Sequence, residues 1–356
     1  MNIAFRTDAS FQIGTGHFMR CLALADELKK YGAKIRFVSR NLPTYLCDLL
    51  ITKEMEYMSL STCITNQPTD ELNHSNWLGS SQAQDAQKTI QALVNQPIDW
   101  IVVDHYGLDK RWEIAVRASC KKLMVIDDLA DRQHDCDLLL DQNFYTDMQT
   151  RYCGKVPEHC QLLLGPSYAL LRSEFKSLRK LVKPRTGDVK NILLFFGGVD
   201  ADDYTSLALN ALAELNVKQK VNVVIGAQHP KREQIIQTCL KYGYVCHVQT
   251  ARMAELMATA DLAIGAGGSA SWERCCLGLP ALLLATADNQ IEIAKALDSI
   301  AACLYVKTNS SRNLVDIKKA IAELLNMPAR VSIISQQAFL LVDGRGVNRV
   351  RKKLGG

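Results

Sequence analysis

No two of the twelve cysteines in this 356-residue chain stand in a C-x-x-C spacing, so neither a zinc site nor a dithiol redox motif is indicated. The cysteines are scattered. Several, among them Cys21, Cys120, Cys275 and Cys276, fall in helical or strand patterns, as buried thiols do. No apolar run approaches the ~20 residues that span a bilayer, and, with a strand pattern opening at Asn2-Ile3-Ala4, no signal peptide is expected. We therefore expect a reduced, cytoplasmic protein with no membrane insertion. Charge of one sign is also scarce, the net being +5 with 22% charged and 48% hydrophobic residues, as in a soluble globular protein. Basic residues gather chiefly in a short C-terminal stretch (Arg345, Arg349, Arg351, Lys352, Lys353), and no aromatic residues interleave with a basic patch, so no nucleic-acid partner is expected.

What is present is an alternation of short apolar strands and helical stretches, repeated twice. The first series has strands at 3–5, 35–38, 100–103, 123–126, 138–140 and 162–164. The second has strands at 192–196, 221–225, 245–248, 262–264, 281–284 and 303–306, with helices such as 204–215 and 252–260 between them. Such runs predict parallel sheets covered on both faces. The expected fold class is α/β, with two Rossmann-like domains, 1–183 and 184–356, facing each other across a cleft fed by loops from the strand carboxyl ends. An amphipathic helix is expected over 169–182. Lys183-Pro184-Arg185-Thr186-Gly187 is the expected linker, and the polar stretch 66–87 is expected to be a loop or a poorly ordered insert.

The first strand runs into Arg6-Thr7-Asp8-Ala9-Ser10 and then Gly14-Thr15-Gly16-His17, after which Phe18, Leu22, Ala25 and Leu28 take helical spacing. Gly14 and Gly16 allow close approach of a ligand to the backbone. His17, at the positive end of the helix dipole, is placed to act as a neutral general base, with Asp8 to orient the imidazole or a water. A cap or packed residue is the competing reading of a first-turn histidine. Dinucleotide binding is disfavoured: Met19 replaces the third glycine, and Ser39-Arg40 follow the next strand where a ribose-binding acid belongs.

Gly267, Gly268, Ser269, Ser271 and Glu273 follow a second-series strand and open a helix, a ready anion site. Glu273 is placed to accept from ribose hydroxyls. The competing reading is a plain glycine turn with Glu273 as a first-turn dipole partner. The Gly-Lys-Ser/Thr ending of a P-loop is missing. Gly197 and Gly198 repeat the strand-then-glycine arrangement, and Asn289 and Gln290 follow the strand 281–284, so three loops of one sheet converge. In the first series, Asp104-His105-Tyr106-Gly107 ends a strand on the edge of Asp8 and His17. Tyr106 offers a sugar an aromatic face and a hydroxyl, while Asp104 and His105 have structural roles as alternatives. The adjacent Asp127 and Asp128 face opposite ways, which argues against a metal pair.

Taken together, R-T-D-A-S-x-x-I-G-T-G-H-x-M-R-C-L-x-L-A, V-D-H-Y-G, L-G-P-S-Y-A-L-L-R-x-E-F, F-F-G-G-x-D, G-G-x-S-x-W-E and D-G-R-G-x-x-R-V resemble the UDP-2,4-diacetamido-2,4,6-trideoxy-β-L-altropyranose hydrolases of pseudaminic acid biosynthesis. The resemblance runs from Asn2 to about Val350. It implies the two-domain GT-B glycosyltransferase architecture and metal-independent hydrolysis of a UDP-sugar, with no cofactor. By it His17 is the catalytic base, Tyr106 lies on the sugar side, the 267–273 segment holds the diphosphate and ribose, and Asn289 and Gln290 form an amide pair. Gly14, Gly16, Arg20 and Asp104 join the substrate-binding set, and a monomer is expected. A GT-B glycosyltransferase with a UDP-sugar donor is the nearest alternative, and a non-catalytic nucleotide-sugar-binding protein the second.

Overall fold

The computed structural model describes residues 1–10, 12–61, 71–94, 96–307 and 314–355. The chain divides into two compact units: Met1–Asn143 with Asp147–Leu170 and Gly346–Gly356, and Leu171–Arg345 with Phe144–Thr146. Each is built on one parallel sheet.

The first unit alternates β1 (Asn2–Thr7), α1 (Gly16–Lys30), β2 (Lys34–Ser39), α2 (Thr44–Thr52), β3 (Glu56–Ser59), α3 (Gln82–Leu93), β4 (Ile98–Asp104), α4 (Lys110–Val116), β5 (Cys120–Ile126), β6 (Leu138–Asp141) and β7 (Gln161–Leu164). The sheet order is β3-β2-β1-β4-β5-β6-β7. Successive strand residues point to opposite faces, and this alternation builds two cores. Ile3, Phe5, Phe37, Val102 and Ile126 pack with Phe18, Leu24 and Leu28 of α1 on one face. Ala4, Ile101, Val103 and Val125 pack with Ala86 of α3 and Trp112 of α4 on the other.

The second unit contains α5 (Ser173–Arg179), β8 (Asn191–Phe195), α6 (Tyr204–Glu214), β9 (Lys220–Ile225), α7 (Arg232–Tyr242), β10 (Val245–Val248), α8 (Met253–Thr259), β11 (Leu262–Ala266), α9 (Ser269–Cys276), β12 (Ala281–Leu284), α10 (Asp288–Ser299), β13 (Leu304–Val306), α11 (Leu314–Asn326) and α12 (Pro328–Leu341). Its order, β10-β9-β8-β11-β12-β13, is doubly wound, with the reversal point between β8 and β11. In the first unit the reversal falls between β1 and β4.

The division at 183/184 requires correction. It falls at 170/171, because Phe175 is fully buried and Arg179 donates to the Cys276 and Phe339 carbonyls within the second unit. The last helix, α13 (Gly346–Gly355), returns to the first unit, burying Val347, Val350 and Leu354 and accepting the Trp100 indole N–H at the Leu354 carbonyl, 3.0 Å. The expected helix over 169–182 contracts to Ser173–Arg179, since Leu170 N–H is instead held by the Gln142 side chain at 3.0 Å. The expected linker is anchored at Arg185, which donates to the carbonyls of Met257, Ala258, Ala260 and Leu277.

The polar stretch 66–87 is ordered in part: 66–70 lie outside the described residues, while Gln82 opens α3. Ser81 Oγ accepts from Gln84 N–H and the Gln84 side chain accepts from Ser81 N–H, a capping box. The inward residue Asp85 faces charge rather than an apolar core. It accepts from Arg6 Nε at 3.0 Å, Arg40 Nη2 at 2.8 Å and the Trp112 indole at 3.0 Å.

Candidate active site

The turn before α1 closes on itself: Gly14, in a left-handed conformation (φ 73°), donates its N–H to the Ser10 carbonyl at 2.8 Å. Space beside Gly14 is open. Gly16 starts α1, and His17 follows in its first turn with 9% exposure. His17 Nδ1 lies 2.5 Å from Asp104 Oδ1 at the end of β4. Asp104 is fully buried, and Arg20, one turn further along α1, donates to it from Nε (2.6 Å) and Nη2 (2.8 Å). The guanidinium holds the Asp104 carboxyl well below the usual carboxylate range against the effect of burial. An ionised carboxylate only accepts, so Nδ1 carries a hydrogen, and in the neutral imidazole the lone pair is then on Nε2.

The expected partner, Asp8, does not reach the imidazole. Thr7 and Asp104 are register neighbours in β1 and β4, and successive residues alternate faces. Asp104 therefore meets α1, whereas Asp8 and His105 turn to the α3 side. There Asp8 pairs with Arg6 Nη1 (2.9 Å) and His105 Nε2 (3.3 Å) and accepts from Arg40 N–H at 2.7 Å. The role given to Asp8 passes to Asp104. Arg20 is held by Asp104 and by Asp128 Oδ2 (2.8 Å), so both expected substrate residues Arg20 and Asp104 are internal partners of His17.

Tyr106 is buried and edge-on to His17, with ring centroids 4.5 Å apart. Its hydroxyl donates to Asp128 Oδ1, so of the expected aromatic face and hydroxyl the hydroxyl is already engaged within the unit. Asp127 faces away, as its adjacency to Asp128 requires, binding Ala130 N–H, Tyr152 and Arg132. Beyond it lies buried His134, whose Nδ1 is 2.7 Å from Glu113 and Nε2 3.7 Å from Asp127. These two carboxylates outweigh burial and push the imidazole up to about 9.

Two further aromatics, from within the polar stretch 66–87, join this cluster. His74 and Trp77 flank Tyr106, with Trp77–Tyr106 centroids 5.6 Å apart and nearly parallel, and Trp77 stands edge-on to His17 at 6.2 Å. A tryptophan followed by leucine in a Gly/Ser/Asn-rich segment was the available signal.

In the second unit, β11 leads through Gly267 and Gly268 into α9, whose hydrogen-bond ladder begins with Ser271 N–H to the Gly268 carbonyl at 2.9 Å. The amides of Ser269 and Ala270 thus precede the ladder. Ser269 is exposed; Ser271 is buried and accepts from Arg274 Nη2 at 3.1 Å, which also donates to the Ala266 carbonyl at 2.6 Å. Arg274 thereby braces the loop from behind. Glu273 is half-buried, with Oε1 3.6 Å from Arg172 Nη2; burial pushes its carboxyl up while Arg172 opposes this. Gln290, in the first turn of α10, lies along the same loop. Its carbonyl accepts from Thr286 N–H (3.2 Å) and Oγ (3.1 Å), leaving its NH₂ end toward Gly268. Asn289 beside it is exposed. Gly197 and Gly198 follow the neighbouring strand β8, and the Gly198 carbonyl packs on Gly226. The structure therefore gathers Gly197, Gly198, Gly267, Gly268, Ser269 and Gln290 at the carboxyl edge of β8, β11 and β12.

One set of three ligating side chains occurs among the described residues, Asp200, Asp203 and His229. Its atoms are committed: Asp200 accepts from Tyr204 and Thr205 N–H groups at the start of α6, His229 Nδ1 accepts from Lys231 N–H, and Lys231 Nζ pairs with Asp203 at 2.8 Å.

Residues 192–339 match the family model described as glycosyltransferase family 28 C-terminal domain. The chain is 27% identical over 237 residues to the UDP-2,4-diacetamido-2,4,6-trideoxy-beta-L-altropyranose hydrolase of Campylobacter jejuni, covering 66% of this chain and 73% of that protein. It is 24% identical over 361 residues to the Bacillus subtilis spore coat polysaccharide biosynthesis protein SpsG, covering 98% and 96%. Against the uncharacterized protein MJ1062 of Methanocaldococcus jannaschii the match is 25% over 292 residues, 80% of this chain but only 55% of that protein, so the chain spans about half of that relative. The solved structure of Acinetobacter baumannii MurG superposes with a TM-score of 0.65 over 99% of both chains at 14% identity.

These likenesses define the class: two parallel-sheet α/β units with the fold of GT-B glycosyltransferases. By fold the protein is GT-B glycosyltransferase-like, and its second unit carries the match to the glycosyltransferase family 28 C-terminal domain. Among the described residues no helix is long and apolar enough to cross a membrane.

Proposed function

We propose that the protein hydrolyses UDP-2,4-diacetamido-2,4,6-trideoxy-β-L-altropyranose to the free sugar and UDP, with inversion. The observation that carries this reading is the His17–Asp104 pair, which leaves Nε2 as a proton acceptor. His17 Nε2 takes a proton from water as the water oxygen attacks the anomeric carbon. The bond from that carbon to the diphosphate oxygen breaks, and its electron pair leaves with UDP. The diphosphate is a good leaving group once its charge is met, so no carboxylic acid is needed to protonate it, unlike a glycosidase. The amides at the start of α9, with Gly267, Gly268 and Ser269, supply that charge stabilisation. Glu273 takes the ribose hydroxyls on exchanging its contact with Arg172, and Asn289 and the Gln290 NH₂ serve the nucleotide. Gly14, Gly16 and the Tyr106 ring adjoin the sugar. Asp104 and Arg20 are positioning residues. No metal or cofactor takes part. The likeness to the Campylobacter jejuni hydrolase supports the substrate assignment.

The family 28 match favours one second reading, transfer of the sugar from UDP to an acceptor hydroxyl deprotonated by His17. UDP release from a panel of UDP-sugars, followed by HPLC with no acceptor present, separates the two. Hydrolysis predicts stoichiometric free UDP and sugar that His17→Asn abolishes. Release only on adding an acceptor overturns it.

A further inference from the structure

We propose that Trp77 is the platform on which the site stacks the sugar ring, and that it selects pyranoses with an apolar face and an acylamino group. The inference deepens the hydrolase reading and rests on it.

Trp77 is half-buried, whereas Trp100, Trp112 and Trp272 are buried, so it is the one tryptophan with indole surface open to a ligand. The buried residues Ser75 and Leu78, either side of it in the same short turn, pin its backbone. The His74–Trp77, His74–Tyr106 and Trp77–Tyr106 centroid distances, 4.4, 5.4 and 5.6 Å, make a nearly equal-sided triangle. His74 and Tyr106 therefore both pack against the indole, which keeps part of its surface exposed. His17 stands edge-on to it at 6.2 Å, so the indole borders the imidazole that would activate water. The Trp77 indole N–H, a donor only, has no acceptor among the described residues.

The arrangement is built, because the turn is seated by the glycine of Asp-His-Tyr-Gly. A Cβ on Gly107 would lie 2.9 Å from the His74 carbonyl and 3.1 Å from the His105 ring, so only glycine lets the 74–77 turn close against Tyr106. Chemically, an indole face pairs with ring C–H groups and with a methyl in place of a hydroxymethyl, while its N–H fits the carbonyl oxygen of an acetamido group. A deoxy, bis-acetamido pyranose offers both. A fully hydroxylated hexose offers less apolar surface.

Steady-state kinetics on the UDP-sugar, with calorimetric UDP affinity, tests this. Trp77→Ala should raise KM about three- to ten-fold, the equivalent of one aromatic contact, with UDP affinity unchanged, and Trp77→Phe should restore most of the loss. Gly107→Ala should reproduce the Trp77→Ala defect. A Trp77→Ala enzyme with wild-type KM, or one losing kcat alone, overturns the proposal. Should Trp77→Ala not fold, tryptophan fluorescence of the His17→Asn protein decides, read against His17→Asn/Trp77→Phe: quenching by the UDP-sugar but not by UDP, lost with Trp77→Phe, supports the platform, and equal response contradicts it. That readout needs no turnover, so failure of the hydrolase reading and failure of the platform are seen separately.

Discussion

His17 Nδ1 sits 2.5 Å from Asp104 Oδ1, and Arg20 grips the same carboxylate through two N–H groups. The imidazole is thereby held in one tautomer by a carboxylate that Arg20 keeps ionised. His17→Asn should remove turnover while leaving UDP affinity within a few-fold of wild type, because the nucleotide residues belong to the other compact unit. Calorimetry with UDP checks this, and a parallel loss of UDP binding would make His17 a ligand contact instead.

Asp104→Asn keeps the shape but removes the charge that fixes Nδ1–H. By analogy with triad aspartates, kcat should fall roughly a thousand-fold or more, whereas Asp8→Asn should leave the imidazole in place and lower kcat far less. Asp104→Ala should also destabilise the first unit by ~3–5 kcal/mol, since it strips a buried guanidinium of one carboxylate. Equal kinetic losses for Asp8→Asn and Asp104→Asn would contradict the assignment.

Glu273→Ala should weaken UDP binding about ten- to a hundred-fold, the usual range for a charge-assisted hydrogen bond. Glu174→Ala, which removes the other carboxylate on Arg172 (2.9 Å), is the control and should change little. Unchanged UDP affinity in a folded Glu273→Ala protein would return Glu273 to a plain partner of Arg172.

His134 gives a pH dependence of stability. Its folded value of about 9 lies above the ordinary 6.5, so the stabilisation is complete below pH 6.5 and is lost as pH rises through about 9. The displacement corresponds to ~3 kcal/mol. Denaturant unfolding from pH 6 to 10 should show this loss, and His134→Asn should flatten it. Asp141, buried and raised to about 8, acts in the same direction from pH 4 upward, so the comparison with His134→Asn is the informative one. A wild-type slope unchanged by the substitution would sink the argument.

Activity should survive EDTA. In the proposed reading amide donors at the start of α9 meet the diphosphate, while Asp200 and Asp203 cap α6 and His229 Nδ1 accepts from Lys231 N–H. Inhibition reversed by a divalent ion would contradict this.

The parallel strands were legible because burial on both faces writes them as continuous apolar runs. β3 was not: Glu56-Tyr57-Met58-Ser59 is a largely exposed edge strand without such a run. α3 was missed because its inward residue Asp85 answers two arginines and an indole, which interrupts the short apolar stripe of Ala86, Ile90 and Leu93. At the site, His17 and the two glycine loops were readable from residue type and position. The choice of Asp104 over Asp8 was not, because it depends on the β1–β4 register and on which sheet face α1 covers. The same holds for Trp77, whose neighbours are Tyr106, 29 residues on, and His17, 60 residues back.

Reaction in H₂¹⁸O distinguishes attack of His17-activated water on carbon, which the mechanism requires, from attack on phosphorus. Mass spectrometry of the released UDP should find no label, with ¹⁸O entering the sugar, trapped early because ring opening exchanges its anomeric oxygen. Label in the β-phosphate of UDP would mean attack at phosphorus and would contradict the role given to His17.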